Sequence, residues 1–142
     1  LDRLSAAIKA PIFDPSMVEK ETGYGPDRAK IGSVFLNRLR IGMRLESDPT
    51  VIYGLGDAFD GDLKRHHLRR DNPFNTYTRF GLPPTPIASP GRESINVVLS
   101  EVKSSFYYFV AMGNGKSYFS KNYKEHLAAV KRYQLGNSRR AP

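Results

Sequence analysis

A chain of 142 residues with 39% hydrophobic and 25% charged residues is one domain's worth of sequence, apolar enough for a real core and unlike a disordered segment. It contains no Cys, which excludes a disulfide framework and thiolate chemistry, and no run approaches the roughly 18 apolar residues of a membrane-spanning helix. The formal net charge of +8 favours an anionic partner, but it suits nucleic acid, acidic lipid and an anionic wall polymer equally and chooses none of them.

The chain opens on Leu1 rather than Met, as a processed product or an excised piece would, and no signal peptide is visible. "LDRLSAAIKA" (1–10) is amphipathic enough for a helix that Pro11 stops. "FDPSMVEKETG" carries a start signal in Asp14 as N-cap and Pro15 at the first helical position, with Gly23 as terminator. The strongest helix is 25–42, where Ile31, Val34, Phe35, Leu36 and Leu39 form one broad stripe and Gly42 ends it. Asp48-Pro49 repeats the cap-plus-proline signal, so 48–54 reads as a short helix.

Residues 54–75 read as an excursion with one short piece around 62–69, and the basic run "KRHHLRR" (64–70) reads as a solvated face. The segment 71–91 is too rich in Pro, Gly and Asn for regular helix or central strand, and so long a loop inside a domain is expected to line a site. Ser89 and Pro90 open another helix, to about Ser100. Two aromatic runs flank Asn114-Gly115, a hairpin signal over about 106–120. Asn122 with Glu125 makes a capping box for a last helix over 123–134. The sum is an α+β domain, mainly helical, with one small hairpin.

Most chemistries find no support. His66 and His67 are adjacent and His126 is remote, so no metal site is expected. No G-x-S-x-G is present, so a nucleophilic triad is unsupported; no phosphate-binding loop is present either, and no cofactor is expected. The hairpin aromatics could form a stacking platform for nucleic acid, but alternation is what any half-buried strand pair produces, and no nucleic acid is expected. Carboxylate chemistry remains. Glu19 and Glu21 stand two positions apart, roughly 200° around a helix, so they cannot both face one cleft. Each is by default a solvated helix residue, and an acid here needs apolar burial to raise its pKa.

Four stretches then act together: "VEKETG" (18–23), "VFLNRLRIGMRLESDPTVIYGLG" (34–56), "NPFNTYTRFGLPPTPIASPG" (72–91) and "YYFVAMGNGKSYFS" (107–120). In this order, across about residues 14–133, they resemble the catalytic domain of the MltG/YceG family of endolytic murein transglycosylases. The resemblance implies a lysozyme-like domain that cuts peptidoglycan glycan strands between N-acetylmuramic acid and N-acetylglucosamine, leaving a 1,6-anhydromuramic end. It implies that 1–142 is a single catalytic domain, the C-terminal piece of a protein anchored in the inner membrane with this domain on the outer side. Glycan strands are the implied partner, with peptidoglycan synthases as further candidates. The family's catalytic glutamate is taken as the first of "VEKE", here Glu19. Two departures stand out: Pro11 and Pro15 replace a continuous apolar helix entry, and the usual "EHN" is "EHL" at 125–127.

Such an enzyme needs one carboxyl group, which protonates the glycosidic oxygen and then takes the proton of the attacking C6 hydroxyl. Asn75, Thr76 and Tyr77 are candidates for positioning the sugar, or for fixing their own loop. Arg38 is a candidate for stem carboxylates, or for an ion pair with Asp48. Ser47 and Asp48 are candidates for the cleft wall, or simply helix caps. The alternatives are a hydrolytic muramidase and a peptidoglycan-binding module without turnover.

Overall fold

The structure is a computed structural model that describes residues 15–100 and 102–135. The expected helix over 1–10, the Asp14 cap and the basic tail lie outside these residues. Six α-helices occur in the described part: α1 (Pro15–Glu21), α2 (Arg28–Arg40), α3 (Asp48–Leu55), α4 (Arg65–Arg69), α5 (Arg92–Ser100) and α6 (Tyr123–Val130). One antiparallel hairpin, β1 (Tyr108–Ala111) and β2 (Ser117–Ser120), stands between α5 and α6. The α+β, mainly helical expectation holds. None of the described helices is long and apolar enough to cross a membrane.

The boundaries differ from the sequence reading in small, explicable ways. Pro26 sits in a 3-10 turn, Gly25–Asp27, so α2 starts three residues later than its apolar stripe suggested. Asp48 is the first residue of α3 rather than its cap; Ser47 holds the cap position, with its side chain turned elsewhere. Gly42, at φ 71°, ends α2 as its sequence position implied. Asn122 does cap α6 by accepting from the Glu125 N–H, but Glu125 reaches back to the N–H of Lys121, one residue short of the expected box. In the hairpin Phe109 pairs with Phe119 and Ala111 with Ser117, and Gly113 and Gly115 take positive φ in the turn.

The core joins α1 to α2. Met17 and Val18 from α1 pack with Ile31, Phe35 and Leu36 from α2, and with Leu45 and Ile87 from the connecting segments. The helix α1 also lies against α3 and α5. Gly32 permits α2 to approach α5 so closely that a Cβ there would sit 2.9 Å from a Val97 methyl carbon. Pleating sorts the hairpin side chains: Phe109 meets Phe35 edge-on at 5.7 Å, whereas Tyr108 stacks on His126 of α6. The hairpin is therefore a layer between α2 and α6.

Polar residues on the buried side of α2 fasten the chain entering β1. The Asn37 amide donates to the carbonyls of Ser104 and Phe106, and Arg38 Nε donates to that of Tyr107. Another Arg38 nitrogen donates to the Leu45 carbonyl at 2.7 Å. These bonds answer backbone acceptors that would otherwise be buried unpaired.

Candidate active site

The two glutamates of α1 part company as their spacing requires. Glu19 turns toward the start of α5, where the Ser94 hydroxyl donates to it at 2.5 Å and the Gly91 N–H at 3.1 Å. These donors, with the positive charges of Arg28 and Lys20 adding to them, hold its carboxyl below the ordinary range. Such a group stays ionised at neutral pH and does not keep a proton to donate.

Glu21 faces the other way, into a cleft of about 360 Å³ that it shares with Arg38, Glu46, Asp48, Tyr77 and His126. Burial pushes its carboxyl up to about 7, with the Asp48 charge adding to the rise. The Ser47 hydroxyl, donating to Glu21 Oε1 at 2.6 Å, and the Arg38 charge oppose the rise without cancelling it. A carboxyl near 7 exchanges a proton readily at neutral pH, as a general acid must.

The remaining candidates sort around Glu21. Tyr77 reaches the cleft and its hydroxyl donates to Asp48 Oδ1 at 2.5 Å; burial and that carboxylate raise the phenol far above its usual value, so it remains a donor. Asp48 also lines the cleft, and Ser47, wholly buried, positions Glu21. Arg38 lines the cleft but gives its hydrogen bonds to the carbonyls of Tyr107, Arg44 and Leu45, rather than forming the ion pair with Asp48 weighed from sequence.

Asn75 and Thr76 are both enclosed. Asn75 donates to the carbonyls of Leu68 and Arg70 and accepts from the Tyr77 N–H. Thr76 accepts from the Ser47 N–H at 2.9 Å and shares a hydrogen bond with Thr50. They aim Tyr77 and Ser47 instead of opening onto the cleft. Of the long Pro-rich segment, Tyr77 is the residue that lines this cleft; further along, Ile87 and Gly91 bind the back of α1 through Ser16 and Glu19.

Glu46 and His126 are titratable residues of the cleft that the sequence did not single out. Glu46 holds a left-handed backbone, φ 49°, uncommon for a residue other than glycine, and its N–H donates to the Thr76 carbonyl. His126 sits in "EHL", where attention fell on the residue after it. The pairing of His126 with the cleft depends on the hairpin bringing α6 over α2, which no local pattern announces.

Known proteins bear on this arrangement. Residues 9–132 match the model of the YceG-like family. The "Endolytic murein transglycosylase" of Bacillus subtilis (strain 168) is 43% identical over 118 residues, which are 83% of this chain and 32% of that protein. The protein of the same name from Streptococcus pneumoniae serotype 2 (strain D39) is 34% identical, over 78% of this chain and 21% of its own length. The chain thus spans about a third or less of these relatives. A 2.6 Å crystal structure of a yceG-like protein from Listeria monocytogenes superposes with a TM-score of 0.74 at 43% identity, covering 81% of this chain and 36% of that one. With the family match running over most of its length and a solved relative sharing its fold, the chain belongs to the YceG-like family.

Proposed function

We propose that this domain is a lytic transglycosylase of peptidoglycan, acting at the bacterial cell envelope, and that Glu21 rather than Glu19 is its acid and base. The observation that carries the assignment is the cleft itself. Glu21 is the glutamate of α1 that opens onto it with a raised pKa, while Glu19 lies outside it among donors that stabilise its anion. The names of the relatives supply the substrate class.

Protonated Glu21 gives its proton to the glycosidic oxygen as the bond from the muramic C1 to that oxygen breaks. The C6 hydroxyl of the same muramic residue then bonds to C1, and its proton passes to the Glu21 carboxylate, restoring the acid. Atoms balance without water, and the new end is the 1,6-anhydro sugar. One group serves both steps because the nucleophile is carried by the substrate. The negative charges of Asp48 and Glu46 across the cleft favour the positive character that develops at C1.

Those same carboxylates are the observation favouring a second reading, hydrolysis, since a second carboxylate near the bond could activate a water. Digesting purified peptidoglycan with the parent, Glu21→Gln and Glu19→Gln, and reading products by mass spectrometry, separates the possibilities. Anhydromuramic ends from the parent and the Glu19 variant, absent with the Glu21 variant, are expected. Reducing ends one water heavier would establish hydrolysis. Products surviving in Glu21→Gln but lost in Glu19→Gln would return the role to Glu19.

A further inference from the structure

Among the titratable side chains of the cleft, His126 has no part in the chemistry above. His126 comes from α6, whereas Glu21, Asp48 and Tyr77 come from α1, α3 and the Pro-rich segment. Its ring stacks on Tyr108 at 4.9 Å and 22°, and Tyr108 in turn lies beneath the Arg38 guanidinium at 5.2 Å. Nδ1 is enclosed and has no hydrogen-bond partner among the described residues. Burial, reinforced by the Arg38 charge, holds the imidazole below its ordinary pKa, so the ring is neutral at neutral pH.

A neutral ring carries one proton on one of two nitrogens. Among the described residues Nδ1 has no acceptor in reach, and an N–H enclosed without one is costly, so the proton belongs on Nε2. With Nδ1 enclosed, Nε2 is also the nitrogen left to meet a ligand in the cleft that His126 lines. The stacked ring is thereby a fixed hydrogen-bond donor, already oriented before anything binds.

We propose that His126 is a substrate-binding residue whose Nε2–H donates to an acceptor oxygen of the bound glycan strand, the carbonyl of an N-acetyl group being the neutral acceptor that recurs on every sugar of such a strand. The inference rests on the glycan-cleaving reading. It assigns a binding contact to α6, the last α-helix among the described residues and remote in sequence from Glu21, and it makes the N-acetyl group a determinant of recognition.

The test compares the parent protein with His126→Phe, which keeps the stack on Tyr108 and loses the donor, and His126→Gln, which retains an N–H at similar reach. On purified N-acetylated glycan strands, His126→Phe should raise KM about tenfold, the effect of one lost hydrogen bond, with kcat little changed. His126→Gln should recover most of the loss, and on chemically de-N-acetylated strands the parent and the Phe variant should become alike. An unchanged KM for the Phe variant, or a defect equally large on de-N-acetylated strands, would overturn the proposal. Nitrogen NMR supplies a second readout that leaves His126 intact. In the non-cleaving Glu21→Gln protein the imidazole should be the Nε2–H tautomer, and its Nε2 resonance should move on adding an N-acetylated glycan tetrasaccharide. A resonance that stays put would also defeat the assignment. A parent that releases no product from any strand would instead defeat the glycan-cleaving reading, and the inference with it.

Discussion

Replacing Glu21 by Gln should abolish turnover and at the same time stabilise the fold, by an amount that depends on pH in a definite direction. The carboxyl is raised from 4.5 to about 7 in the folded protein. Between those values the native state holds a proton that the unfolded chain has released, so stability falls as pH rises through the window. The full penalty, present once Glu21 is ionised, is about 3 kcal/mol at pH 8 and above and shrinks below about 0.5 kcal/mol at pH 4.5. Gln is uncharged throughout and can still accept from the Ser47 hydroxyl, so it escapes the penalty without losing that contact. Urea denaturation of parent and variant at pH 8 and at pH 4.5 is the assay. The variant should be the more stable protein at pH 8 by about 3 kcal/mol and nearly equal to the parent at pH 4.5. A stability difference that does not change with pH would refute the claim that burial of an ionisable Glu21 is its source. A difference growing toward acid would mean that its pKa is depressed, and the general-acid argument would fall with it.

Glu19→Gln should behave oppositely: the lowered pKa means that its stabilisation is present above the ordinary carboxylate range and lost as pH falls, so the variant should be slightly less stable than the parent at pH 7, by an amount that solvent screening keeps small, and converge on it in acid, with turnover largely kept. Arg38→Leu leaves the buried Leu45 carbonyl and the part-buried carbonyls of Tyr107 and Arg44 without this donor and should lower stability by about 2–3 kcal/mol in denaturant titration, even though leucine fills much of the space. Gly32→Ala places a methyl 2.9 Å from Val97 and should cost about 1–3 kcal/mol, visible as a lower thermal midpoint; an unchanged midpoint would mean that α5 yields freely.

The helices were legible where caps, prolines and apolar spacing agreed, as in Pro15–Glu21 and in the stripe that buries Ile31, Val34 and Phe35. The opposed directions of Glu19 and Glu21 were also legible, because they follow from helix geometry alone. Which of the two faces a cleft was not, since that depends on Asp48, Tyr77 and Arg38 arriving from three other parts of the chain. The "NTY" motif shows the same limit. A motif marks residues that matter, but only the fold distinguishes Tyr77, which reaches the cleft, from Asn75 and Thr76, which aim it. From sequence Arg38 is a candidate for stem carboxylates or for an ion pair with Asp48, yet it is buried, because the chain entering β1 presents it with a carbonyl.

The helix α1 is seven residues long, too short to persist outside the protein that surrounds it. Its backbone conformation, the direction of Glu21 and the unusual proton affinity of that carboxyl all vanish when α2, α3 and α5 let go of it. Activity accordingly requires that α1 stay docked between its neighbours. On heating, the loss of turnover and the loss of tertiary structure should trace one curve, and the amide hydrogens of α1 should exchange through the same global opening that exposes the core.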